Sequence, residues 1–296
     1  MSTFVAAPAR GRSATALILA GVLWGTGGLS GNLLAAQGHL HPLSVACYRL
    51  LLGGACTVLF VWATGRLREL VWTKPVVRRL LMSGALLGQF QACYFVSVSL
   101  TSVSVSTMIT IGSVPVFATL GTAVRDRRLP ATTTLGATAA AIAGLVLLTW
   151  SPVAGSWKLA GGVAFALLAG AGFAMLTLAT RKPVEGLDSF CATAFGLLLG
   201  GVALTPVALW FGMALPLRPE VLAIALYLGV VPTAIAYAAY FLALRTAHPV
   251  LAALSALLEP LTAVVASAVL FGDRLGVTGW CGAALLVTAL AVSYTR

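Results

Sequence analysis

Ten apolar runs follow one another with only short connections between them, and that succession limits the fold more than any single motif does. They cover 14–36, 43–63, 80–100, 103–124, 131–150, 159–180, 189–211, 221–244, 249–271 and 276–295. A helix needs about 20 apolar residues to cross a bilayer, and each run is close to that length. In lipid a segment must satisfy its own backbone N–H and C=O groups, so such runs predict helices. The expectation is an all-α integral membrane protein with ten transmembrane helices and the lipid bilayer as its surroundings. Only 8% of the residues are charged and the mean hydropathy is +1.02, which leaves no room for a soluble domain. Function must then reside in the spans and their short connections.

The net charge of +11 does not point to nucleic acid, because the bases are scattered between apolar runs rather than gathered on one polar face. They read instead as topology signals. Arg10, Arg12, Arg66, Arg68, Lys74, Arg78, Arg79, Arg125, Arg127, Arg128, Arg181, Lys182, Arg245 and Arg296 fall on the side of the N-terminus, whereas Lys158, Arg218 and Arg274 fall on the other. The positive-inside bias therefore predicts both termini in the cytoplasm and a multi-pass protein of the cytoplasmic (inner) membrane. The first run is too long for the h-region of a secretory signal and reads as a retained helix. Cys47, Cys56, Cys93, Cys191 and Cys281 sit in apolar stretches without CxxC pairing and read as packing residues.

The chain also repeats itself. The run Val103 to Val124 slides onto His248 to Leu270 so that Pro115 lies over Pro260. Leu50 to Gly54 and Leu197 to Gly201 both read LLLGG, Tyr94-Phe95 matches Tyr240-Phe241, Gly25 and Gly27 match Gly170 and Gly172, and Gly136 matches Gly282. The offset stays near half the chain, which divides it into 1–150 and 151–296. Five spans in each half is an odd number, so the second half enters the membrane from the opposite face: two inverted five-helix repeats. A proline inside a helix removes an N–H and frees the carbonyl four residues back, which predicts helix breaks at Pro115 and Pro260 with free C=O groups on Ile111 and Ala256. Broken helices at corresponding places in two repeats are the sequence sign of a transporter's binding site.

WGT at Trp24 to Thr26, Tyr48-Arg49 early in the second span, the Tyr-Phe pairs preceding a proline run in both halves, and FGDRLGVTGWCGAAL at the last hairpin resemble the EamA family of the drug/metabolite transporter superfamily. The resemblance covers nearly the whole chain. It departs from the family in the first half, where Arg127 stands in place of the acid that Asp273 supplies in the second. The resemblance implies a carrier that exports small metabolites or amino acids across the cytoplasmic membrane, the best-characterised similar proteins being YddG-like exporters of aromatic and other amino acids.

The residues themselves suggest where a substrate would sit. Run 80–100 places Gly84, Gly88, Gln91 and Phe95 on one face with Tyr94 beside them, and run 221–244 places Gly229, Thr233, Tyr237 and Tyr240 on one face. Such walls suit an amino-acid side chain, although small residues also serve plain helix packing. Ser106, Thr110 and Ser113 share a face beside Pro115, and Ser255, Glu259 and Thr262 share one beside Pro260. Hydroxyls there either back-bond their own helix or bind a substrate. Trp24 either lines the cavity or packs on Gly28. Arg49, the only base inside a span, is expected to snorkel its cation to the headgroups, with a role as a carboxylate binder or a partner of Glu259 as the alternative. Glu259 is the only acid inside a span, where an ionised carboxylate costs several kcal/mol unless paired or hydrated. It can carry protons as the coupling ion, bind a substrate ammonium, or satisfy backbone freed by Pro260. Trp72, Trp150, Trp157, Trp210 and Trp280 read as interfacial belts.

The leading expectation is a secondary transporter working by alternating access on amino acids or similar small metabolites, with nucleosides and amphipathic drugs as alternative cargo. An intramembrane enzyme would need paired acids, HExxH or a Ser/His pair, and the chain has none. His39, His41 and His248 do not assemble a metal site. Without GxxxxGK[ST] the chain is not a primary pump, and nothing calls for a cofactor.

Overall fold

The computed structural model describes residues 7–127, 132–149, 157–180, 182–243, 258–272 and 276–294. These residues are helical nearly throughout: α1 Ala7–Gly38, α2 Pro42–Ala63, α3 Lys74–Leu100, α4 Val103–Asp126, α5 Thr132–Thr149, α6 Trp157–Thr180, α7 Ser189–Trp210, α8 Pro219–Ala243, α9 Leu258–Phe271 and α10 Val277–Tyr294. Seven of them, α1 to α4 and α6 to α8, are long and apolar enough to cross a bilayer. Leu19, Leu59, Leu81, Leu168, Leu226 and Val269 stand exposed on the outer flanks of the helices, an arrangement that only lipid solvates without penalty. Trp72, Trp157, Trp210 and Trp280 are exposed as a belt requires; Trp150 lies outside the described residues.

Local signals set the helix ends. Pro42 occupies the first turn of α2, and the Nδ1 of His41 accepts from Leu43 N at 3.3 Å. Thr73 and Ser102 cap α3 and α4 by accepting from Val76 N and Val105 N. Gly65, with φ at 74°, and Gly212, with φ at 92°, lie beyond α2 and α7, where the left-handed region favours glycine.

The core is built where backbones touch. At the crossing of α2 and α7 the two LLLGG segments meet each other. A Cβ on Gly54 would stand 2.5 Å from Leu198 N, and a Cβ on Gly201 would stand 2.9 Å from Leu51 N. The same reciprocity recurs beside it: a Cβ on Gly84 would meet Leu199 Cβ and Gly200 N, and one on Gly229 would meet Leu52 Cβ and Gly53 N. Glycine permits this approach, and close backbone packing is what holds helices together when lipid removes the hydrophobic drive between them. Around that crossing α3 packs on α6 and α7 while α8 packs on α1 and α2; α4 packs on α6 while α9 packs on α1; and α5 meets α10.

The connections sort into two ends. After α1, the Ser44 hydroxyl donates to Gly212 O at 2.8 Å, the Tyr48 hydroxyl donates to Met213 O, and His41 stacks on Phe211 with centroids 4.1 Å apart. All three partners belong to the connection after α7. After α2, Arg66 pairs with Asp188 at 3.1 Å, Val71 N donates to Gly186 O at 3.0 Å and Arg79 donates to Lys182 O at 3.0 Å, which joins it to the connection after α6.

The proline expectation needs correction. α4 runs uninterrupted through Pro115, because losing one N–H removes a single bond from a ladder that the flanking turns keep in place. Ala256 lies outside the described residues. The departure from α geometry falls instead in α8, where Val230–Ile235 forms a π-helical turn around Pro232.

Candidate functional site

The first helix carries Trp24, Gly27, Gly28 and Gly31 at i, i+3, i+4 and i+7, so they share one face. What fills that face is large and polar at its tips. A Cβ on Gly27 would stand 2.8 Å from Arg49 Nη2, one on Gly28 would overlap the Tyr94 hydroxyl, and one on Gly31 would overlap the Phe95 ring. The glycines therefore make a trough in α1 that receives a guanidinium, a phenol and a phenyl ring from α2 and α3. At its upper end Trp24 meets Tyr237 and Tyr240 of α8, with centroids 5.3 and 5.0 Å apart in tilted, edge-on arrangements that suit aromatic quadrupoles. On the flank of the trough Gly25 faces Thr262 and the Glu259 carbonyl of α9.

Pro232 explains how Arg49 is placed. The proline has no N–H to offer Leu228 O, and the Thr233 hydroxyl donates to that carbonyl at 2.9 Å instead. The Thr233 hydroxyl oxygen in turn accepts from Arg49 Nε at 3.3 Å, so a fully buried threonine joins the freed backbone of α8 to the guanidinium of α2. Arg49 Cζ also lies 5.9 Å above the Phe95 ring. Arg49 is only 7% exposed, which overturns the expectation that it reaches the headgroups: the missing Cβ of Gly27 opens space inward, and Thr233 and Phe95 supply partners there. No described carboxylate lies within ion-pair distance of it, and Nε is its only guanidinium nitrogen with a hydrogen bond to a described residue. Arg49 and Glu259 are both within electrostatic reach of the phenols of Tyr94 and Tyr237, so a buried base and a half-buried acid face the same group.

The structure thus gathers Trp24, Tyr94, Thr233, Tyr237, Tyr240 and Glu259 around α1. Tyr94 shares a 2.8 Å hydrogen bond with Thr107. Gln91 is 1% exposed with its Oε1 unpartnered, and the Trp24 Nε1 is likewise buried without an acceptor among the described residues. Two expected residues lie elsewhere. Ser106 is in the first turn of α4, not at mid-span, and bonds Ser97 and Thr101 at 2.8 Å each. Thr110 donates to Ala166 O at 3.3 Å across the contact with α6, and Ser113 faces Gly170 there; their hydroxyls serve packing. Ser255 lies outside the described residues, and Pro260 is buried in α9. Gly84 packs α3 on α7, and Gly229 packs α8 on α2. The sequence reading missed Gly27 as the seat of Arg49, and Pro232. The first was legible as GTGG beside a tryptophan, the second as Pro-Thr inside an apolar run.

Two surface clefts lie away from this group. One, of about 470 Å³, is lined by His41, Pro42, Cys93, Val96, Leu100 and Phe165 among others; the other lies beside Trp62 and Arg68 at the end of α2.

The sequence profile described as the EamA-like transporter family matches residues 12–150 and again 160–295. A protein of Bacillus subtilis (strain 168) described as the uncharacterized transporter YwfM is 33% identical over 280 residues, 93% of this chain and 91% of that one. An uncharacterized transporter of Archaeoglobus fulgidus is 27% identical over 133 residues, 45% of this chain and 47% of its own. A protein of known crystal structure superimposes with a TM-score of 0.65 at 20% identity, over 96% of this chain and 95% of that one, a likeness of fold.

Proposed function

The chain belongs to the EamA-like transporter family, and on that premise we propose that this multi-pass membrane protein is a secondary carrier that exports amino acids, aromatic ones included, or similar small metabolites. Its substrate site is the group on the trough of α1: Trp24, Gln91, Tyr94, Thr233, Tyr237, Tyr240 and Glu259. The observation that carries the reading is that both halves of the chain meet there, α1 to α3 from one and α8 and α9 from the other, with aromatic faces beside buried polar tips. An apolar wall with a few convergent polar groups is the make-up of a small-molecule site.

Ten crossings in two inverted halves, 1–150 and 151–296, are the architecture proposed with it. The reciprocal glycine contacts of α2 and α7 support a pseudo-two-fold axis. The connections after α1 and after α6 are equivalent in the repeat yet join opposite ends of the molecule, as inversion requires. With both termini cytoplasmic, exchange of the two halves between inward and outward arrangements gives alternating access, and Glu259 is the residue through which protons would couple.

Counterflow in proteoliposomes tests this. Internal unlabelled substrate should drive transient accumulation of external labelled substrate for at least one member of an amino-acid panel. If no member exchanges, the amino-acid reading fails.

A further inference from the structure

We infer that the site takes its substrate by a carboxylate group, gripped by the free edge of the Arg49 guanidinium, and that Thr233 is the residue that positions this grip. The inference rests on the carrier reading and goes further by naming the chemical class of cargo and the atoms that select it.

The argument begins with unpaired donors. A guanidinium carries five N–H groups in a planar fork and no acceptor. That of Arg49 is buried, yet among the described residues it uses Nε alone, on a neutral hydroxyl at a long 3.3 Å. One helical turn away on the same face of α1, the Trp24 Nε1–H is also buried without an acceptor among the described residues. Removing a charge from water without a close counter-charge is among the costliest arrangements a fold can hold; no described carboxylate lies within ion-pair distance of Arg49, and Glu259 acts on it only from farther off. What two unpaired donor groups require is an acceptor with negative charge, and a planar carboxylate matches the terminal fork of arginine bidentately. The aromatic faces of Tyr237 and Tyr240, packed on Trp24, lie beside that position and suit an apolar remainder.

Thr233 determines which edge is free. Its hydroxyl is fixed from behind by donation to Leu228 O in the π-turn, so its lone pair faces Arg49 Nε and leaves Nη1 and Nη2 without a hydrogen bond to any described residue. Gly53 completes the arrangement, since a Cβ there would stand 2.4 Å from Thr233 Cγ2 and dislodge it.

The test uses the full-length protein in proteoliposomes and a panel of L-amino acids, each beside its primary amide and its decarboxylated amine. Carboxylate-bearing members should exchange and their amides and amines should not. Arg49→Lys keeps the charge and loses the fork, so KM for the exchanging acid should rise about tenfold. Thr233→Val should raise KM about five- to tenfold with the maximal rate unchanged, and Thr233→Ser, which keeps the hydroxyl, should restore it. Each variant is first shown to elute as a single symmetric peak, and the acid–amide comparison needs no variant at all. Amides exchanging as well as acids would overturn the inference and leave the carrier reading standing. Silence from the whole panel would overturn the inference together with the amino-acid reading. Equal KM values for Thr233→Val and Thr233→Ser would remove the positioning role.

Discussion

Replacing Gly54 by alanine asks the α2–α7 crossing to accept one methyl group where two backbones touch. The new Cβ would lie 2.5 Å from Leu198 N, 2.7 Å from Leu198 Cα and 3.0 Å from Leu197 C. These are main-chain atoms and cannot rotate aside, so the helices must part by about 0.9 Å to reach ordinary contact at roughly 3.4 Å. Overpacking of this kind costs about 1–3 kcal/mol. At roughly 2–4 °C per kcal/mol, the melting temperature followed by size-exclusion chromatography of detergent-solubilised protein should fall by several degrees. Gly136→Ala is the control: nothing lies within 4 Å of its Cβ, and removing a helical glycine should leave stability unchanged or raise it by about 0.5–1 kcal/mol. Because the Gly54 and Gly201 contacts lie on one crossing, the double alanine variant should lose less than the sum of the singles. A Gly54→Ala protein that melts with the parent, or strictly additive losses, would refute the close crossing.

Other outcomes follow from the same geometry. If Glu259 carries protons, Glu259→Gln should keep substrate exchange and lose the stimulation of net flux by a pH gradient; if it binds the substrate ammonium, KM rises and the pH dependence stays, and a variant equal to the parent in both leaves only a structural role. Burial holds the His41 imidazole below its usual 6.5, so the unfolded chain takes up the proton first on acidification, and stability complete above about pH 6.5 should fall below it; His41→Asn, which keeps a capping acceptor, should flatten that slope in melts from pH 7.5 to 5. Asp188→Asn removes a pair in which the acid is 39% exposed, so the loss should stay under about 1 kcal/mol and shrink in high salt.

Much of this architecture was legible in the sequence, because lipid leaves a chain few choices. The apolar runs located the described helices, although α1 and α3 begin several residues before their runs, and the paired LLLGG segments read as a repeat without showing that they would meet. Trp24, Thr233, Tyr237 and Tyr240 were legible as helical faces, since that depends only on period. What stayed hidden depends on which helix faces which. Arg49 reads by depth alone as a snorkelling base, and only its neighbours Gly27, Phe95 and Thr233 turn it inward. Ser106 and Thr110 have the same chemistry as Thr233, but their hydroxyls meet α3 and α6 rather than the guanidinium of Arg49. Proline was the least transferable signal: Pro115 sits inside a continuous helix, while Pro232 lies in a π-turn, and the difference is the threonine that follows Pro232 and takes up its orphaned carbonyl.

In the carrier proposed here one interior site, shared by the two halves, opens to each side of the membrane in turn. This is tested most directly with Tyr240→Cys in a chain whose Cys47, Cys56, Cys93, Cys191 and Cys281 are replaced, labelled with an impermeant maleimide in right-side-out and in inverted vesicles. The account predicts labelling from both sides, slowed in both by an amino acid that shows counterflow. Labelling from one side only, whatever substrate is present, would contradict it.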